Sequence, residues 1–171
     1  RGELSIAYEL LDEGIRLALR TGDRRTEAYM CWSMGDLLRD RGAYNDAIHQ
    51  YNRALELAGV DEPYVRCGVL IGLSLLMRWR GSPDDSHSLL IEAGALAGAH
   101  GFRLESATIV VARCALMPLS MSSDAALIEL AGALDRLHTL NAGMAVAHAL
   151  AIVALLHVMR GDLSAADTAF A

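Results

Sequence analysis

The chain has 171 residues, of which 53% are hydrophobic, 5% aromatic and 21% charged. That apolar content excludes a disordered chain, and the length is sufficient for a sizeable core. The net charge is −6 and all 15 basic residues are Arg, a balance that argues against a basic stripe for direct nucleic-acid binding.

In chain order, the first segment reads as a helix over 3–20, closed by Thr21-Gly22-Asp23. The next two form the clearest hairpin, predicted over 24–41 and 44–58. In its first helix Cys31, Met34 and Leu38 share a face, and Gly35 marks a close approach of two helices. Gly42 follows, where a left-handed residue closes a helix. In the second helix Ala47, Tyr51, Ala54 and Leu55 alternate small and large along the inward stripe.

A second hairpin is predicted over 62–80 and 83–99. Its inward residues are Leu70, Leu73, Ser74 and Met77, then Ser86, Leu90 and Ala93, with Gly81 between the helices. Ser82, Pro83, Asp84 and Asp85 carry the signals of a helix start. The third hairpin, 102–117 and 123–139, places Val110, Cys114 and Met117 opposite Ala126, Leu130, Ala133 and Leu134. Strict counting puts Arg113 in the apolar column, so a one-residue slip to Cys114 is favoured, and Pro118 ends the helix early. The last hairpin begins with a helix over 142–160, where Leu150, Val153, Ala154 and His157 face inward, and continues over 163–171. Met144 to Met159 is apolar nearly all round. It is shorter than a membrane span, and burial between neighbouring helices is the favoured reading, with a dimer contact as the alternative. No segment reads as a strand.

The hairpins share a period. Gly2, Gly42, Gly81, Met121 and Gly161 stand 40, 39, 40 and 40 residues apart. Five residues after each come Ala7, Ala47, Ser86, Ala126 and Ala166, and four further on come Leu11, Tyr51, Leu90, Leu130 and Phe170. Self-similarity at such an interval is the mark of stacked helical hairpins. The run Met34-Gly35, Leu38, Gly42, Tyr44, Ala47, Tyr51, Ala54 and Leu55 resembles the tetratricopeptide (TPR) repeat, with Cys31 where that family prefers Trp and Gly59 in place of its proline. The expected fold is therefore all-α: one right-handed superhelical solenoid over 1–171, of about four TPR-like helix-turn-helix repeats with a period near 40 residues. The period exceeds the standard 34. Long repeats of this kind, and the phrase LALRTGDRRTEAY…GDLLRDRGAYNDA, resemble the helical regions of MalT-like, LuxR-type bacterial transcription activators. That resemblance implies a signalling region that receives a protein or small molecule and restrains an ATPase or DNA-binding domain. The chain opens on Arg1 and closes on Ala171 inside second helices, so it reads as a piece of a longer multidomain protein.

Little points to catalysis, a cofactor or a metal. His49, His87, His100, His138, His148 and His157 lack ligand spacing, and no Lys exists to complete a phosphate-binding loop. Asp84, Asp85, Ser86 and His87 are close neighbours on one helix and read as a cap rather than a triad. Cys31, Cys67 and Cys114 are odd in number and without C-x-x-C spacing, which disfavours a disulfide framework and fits a reducing, cytoplasmic setting. A binding groove fits better. Residues of the first helices that avoid the core columns are Tyr29, Trp32, Asp36 and Arg39, then Ile71, Leu75, Arg78 and Trp79. Aromatic residues and Arg are enriched at binding hot spots. The expected partner is a protein or peptide in that groove or a neighbouring domain of the same chain. A small-molecule effector and a homodimer are alternatives, and no membrane or nucleic-acid contact is expected.

Overall fold

The computed structural model describes residues 2–115 and 122–169. These residues form nine α-helices and no strand: α1 (Gly2–Thr21), α2 (Arg24–Asp40), α3 (Tyr44–Ala58), α4 (Pro63–Trp79), α5 (Pro83–His100), α6 (Arg103–Ala115), α7 (Ser123–Thr139), α8 (Gly143–Met159) and α9 (Leu163–Thr168). The sequence signals place the described helix ends within a residue or two, except that α9, expected to run to 171, ends at Thr168. Met117, Pro118, Met121 and Phe170 lie outside the described residues.

Local chemistry sets the boundaries. Asp23 accepts from the Thr26 backbone N–H at 3.0 Å and from its hydroxyl at 2.7 Å, capping α2. Asp162 caps α9 through the Ala165 N–H at 3.0 Å. Pro63 and Pro83 open α4 and α5, where no backbone donor is needed. After α2, Gly42 takes φ 81° and lets the Ala43 N–H reach back to the Leu38 carbonyl at 2.9 Å. The same closing bond, also 2.9 Å, joins Ser82 to Met77 after α4 and Asp162 to His157 after α8.

The contacts fall into two compact units, Arg1–Leu96 and Ala97–Ala171. In the first, α2 packs on α1, α3 and α4, and α3 packs on α4. Its core gathers Ala28, Cys31, Met34 and Leu38 from α2, Ala47, Tyr51, Ala54 and Leu57 from α3, and Val65, Val69, Leu73 and Leu76 from α4. In the second, α7 lies against α6 and α8, and α8 also touches α6 and α9. Ala107, Val111 and Cys114, Ala126, Leu130, Ala133 and Leu137, and Ala149, Ile152 and Leu156 form that core. Of the small residues spaced along the chain, Ala47, Ser86, Ala126 and Ala166 are buried, as are Tyr51, Leu90 and Leu130 four positions on, whereas Ala7 and Leu11 of α1 are only half-buried. Buried Ser86 donates to the Ser74 carbonyl at 2.7 Å, and Ser74 to that of Ile71 at 2.7 Å, so neither hydroxyl is left unpaired in the interior.

The inward faces expected from sequence need correction: Leu55, Met77, Val110 and Leu134 are only half-buried, and α8 differs most. In α8 the residues turned inward are Ala149, Ile152, Ala154 and Leu156, while Leu150, Val153 and His157 are only half-buried. The helix is not enclosed on all sides, because Met144, Leu155, Val158 and Met159 are exposed. A helix apolar around its whole circumference has no periodicity from which to read a buried face. In the third hairpin the slip to Cys114 is the arrangement found: Cys114 is buried, and Arg113 is exposed and paired with Glu129.

Candidate functional site: the α2–α4 face

The face is built around one side chain of α3. Tyr51 is fully buried, and its hydroxyl reaches through the core to Asp36 and Arg39. It passes between two backbones that only Gly leaves open. A Cβ on Gly35 of α2 would lie 2.6 Å from the Tyr51 ring, and one on Gly72 of α4 would lie 2.5 Å from its hydroxyl oxygen. The hydroxyl donates to Asp36 Oδ1 at 2.6 Å. Arg39 Nη1 donates to the same carboxylate oxygen at 2.8 Å and to the Tyr51 hydroxyl at 3.2 Å. Asp40 Oδ1 accepts from Arg39 Nε at 3.0 Å. One guanidinium, two carboxylates and a phenol thus form a closed network. Burial pushes the Asp36 carboxyl above its ordinary value, against the lowering influence of Arg39 and Tyr51. Burial, and then the Asp36 charge, push the Tyr51 phenol up as well, so Tyr51 stays a neutral donor.

One turn earlier the two helices meet through aromatics. Trp32 lies over the α4 backbone at Gly68, a second position where a side chain would collide. Its ring meets Tyr64 edge-on, with centroids 5.6 Å apart, and Tyr29 stacks on Tyr64 at 6.2 Å. Trp32 Nε1 is buried without a hydrogen-bond partner among the described residues. The pairs Tyr29–Tyr64 and Trp32–Gly68 advance together along both helices, so α2 and α4 run parallel.

At the far end of α4, Trp79 is 67% exposed and the Arg78 guanidinium lies over its ring, 5.6 Å from the centroid. Leu75 is half-buried. Ile71 is 7% exposed and so lines no open surface, which corrects its expected place in the groove. Helical spacing put it on the groove side, but α4 is covered over more of its circumference than spacing alone indicates: ten of its residues are buried. Of the eight expected residues, Asp36 and Arg39 are brought into one network, Tyr29 and Trp32 into one aromatic cluster, and Arg78 and Trp79 into one cation–π pair.

Sequence reasoning missed Tyr64 and the reach of the Tyr51 hydroxyl. The available signal was Gly68 and Gly72, one turn apart on α4, which announce that something large lies against that helix. Ser86 of the Asp84–His87 stretch is buried and donates to a backbone carbonyl. Among the described residues no group of three His, Cys, Asp or Glu comes together as a metal site, and no helix is long and apolar enough to cross a membrane. The second unit carries a shallow depression lined by Val110, Ile128, Gly132 and Arg136 and bridged by the Arg113–Glu129 ion pair. No protein-family model matches the chain, and no curated protein does.

Proposed function

We propose that the chain is a non-catalytic interaction module and that the α2–α4 face is where it engages a protein or peptide. Trp79 carries this reading. Every other large aromatic on the face is held by packing, whereas Trp79 presents two-thirds of its surface to water beside a cation. Large aromatics and Arg dominate binding energy when a partner desolvates them. The network of Asp36, Arg39 and Tyr51 holds the neighbouring surface in one arrangement before any partner arrives, which reduces the ordering cost of association.

The proposal extends to architecture: a right-handed solenoid of TPR-like hairpins. Its support is the burial of Ala47, Ser86, Ala126 and Ala166 and of Tyr51, Leu90 and Leu130 four positions after the first three. On this reading the module serves a bacterial transcription regulator of the LuxR type in the cytoplasm, an assignment that rests on the sequence resemblance alone.

Photo-crosslinking in cells tests it. A benzoyl-phenylalanine at position 79 is expected to trap a discrete protein, whereas the same group at Ile91 or Ile128, both exposed, traps none. Equal labelling from all three positions, or none from position 79, would refute the assignment. A metabolite that raises the melting temperature without any crosslink would instead indicate a small-molecule sensor.

A further inference from the structure

Arginines crowd the C-terminal turns of α2 and α4: Arg39 and Arg41 at one, Arg78 and Arg80 at the other. Because the two helices run parallel, these turns lie at the same end of the pair. Arg39 is committed to Asp36 and Asp40, at 2.8 and 2.9 Å. Among the described residues, no carboxylate lies within the 4.0 Å salt-bridge distance of Arg41, Arg78 or Arg80. Arg41 lies 5.4 Å above the Tyr8 ring and Arg78 over Trp79. The acidic residues nearest in sequence, Asp40, Asp84 and Asp85, pair with none of the three.

A helix C-terminus favours cations, and that accounts for some of these arginines. It does not account for a Trp that is 67% exposed and flanked in sequence by two of them. Nor does it explain why the cations stay unpaired in a chain whose acidic residues outnumber its basic ones, 21 to 15.

We propose that this end of the α2–α4 pair docks an acidic segment of a partner protein, with carboxylates on Arg41, Arg78 and Arg80 and an aromatic or aliphatic side chain against Trp79. This rests on the reading of the face as an interaction surface and names the chemistry of its partner. A nucleic acid is the weaker occupant. Three cations are few for a phosphate backbone, and the net charge of −6 repels a long polyanion. An acidic peptide needs only local attraction, acting within a Debye length of about 8 Å at physiological salt.

The test uses the whole chain, Trp-selective fluorescence and a short Glu–Tyr copolymer, of peptide rather than polymer length, as the acidic aromatic probe. The copolymer is expected to shift the emission of Trp79, and the shift should disappear in Trp79→Phe, which leaves only Trp32. The double variant Arg78→Ala/Arg80→Ala, checked for unchanged helicity, should weaken binding about tenfold, as should high salt. Polylysine should leave Trp79 unmoved despite the negative net charge. An emission that the copolymer does not change, or a shift that survives loss of both arginines, would overturn the proposal. An oligonucleotide of matched charge that binds as tightly would overturn the protein assignment. If residue 79 crosslinks a protein while the copolymer leaves Trp79 unmoved, the acidic class alone fails. If the copolymer binds and no crosslink forms, the charge class stands and the cellular role fails.

Discussion

Tyr51 decides how the first unit is organised. Its ring occupies the space that Gly35 and Gly72 leave, and its hydroxyl ties that space to Asp36 and Arg39. A buried aromatic with a polar tip needs a partner for the tip, and here the partner is an ionised pair. The arrangement has a consequence for Asp36. Burial raises its carboxyl above the ordinary value of 3.8, although 38% of the side chain remains exposed and Arg39 lies beside it. A carboxyl whose folded value exceeds its unfolded one binds protons more tightly in the native state. Its contribution to stability is therefore fully present below 3.8 and is lost as pH rises through the folded value. Urea unfolding of the wild type and Asp36→Asn across mildly acid to neutral pH checks the sign. The wild type should lose stability relative to the variant as pH rises through that window, then run parallel to it. A gap that widens in the opposite direction would mean that Arg39, not burial, dominates.

At the scale of elements, the helices themselves were legible because each carries its own punctuation. Asp23 and Asp162 cap their helices, and Pro63 and Pro83 open theirs. Gly42, Gly81 and Gly161 end theirs with φ near 80°. The faces were legible only where polar and apolar residues alternate with helical period. Met34 and Leu38 on α2 fall on the inward face by spacing and are buried. On α8, where 143–159 has no Asp, Glu or Arg, little marks a side as wet, and of Leu150, Val153, Ala154 and His157, which spacing turns inward, only Ala154 is buried. The candidate site was half legible for a related reason. Spacing identified the column Tyr29, Trp32, Asp36 and Arg39, but not how tightly α4 would close over it. Trp32 shows the difference. Read from spacing, it is a groove residue whose loss weakens partner binding more than stability. In the structure its ring covers Gly68, meets Tyr64 and hides its own N–H. Replacing it with Ala opens a void between α2 and α4, and because the ring is only partly buried the expected loss is about 1–3 kcal/mol, below that of a fully buried Trp. Chemical denaturation measures it. A loss under about 0.5 kcal/mol, the range of ordinary surface substitutions, would return Trp32 to the groove.

At the scale of the whole molecule, the two units differ in how their interiors are made. The first buries Tyr51, Met34 and Trp32's flank around a polar network, and it bridges elements with the Glu27–Arg53 ion pair at 2.8 Å and the Arg66–Glu92 pair at 3.1 Å. Among the described residues, the core cluster of the second is built from Ala, Val, Leu, Ile and Cys, with no aromatic. Small side chains bury less apolar surface per residue, so less free energy resists opening there. Local opening follows such differences, with weakly packed regions opening at lower cost than the global transition. The three cysteine side chains report on both units, since Cys31 and Cys67 are buried in the first and Cys114 in the second. Burial pushes the thiols of Cys31 and Cys114 up to about 11, so in the native state neither is an effective nucleophile, and labelling requires opening. Pulsed alkylation read by mass spectrometry, at urea concentrations below the main transition, should therefore modify Cys114 before Cys31 or Cys67. The matched thiol environments of Cys31 and Cys114 make the comparison one of opening rather than of intrinsic reactivity. Simultaneous labelling of all three would mean that the aromatic and ionic contacts of the first unit add nothing to its resistance to opening, and that both interiors give way in one cooperative step.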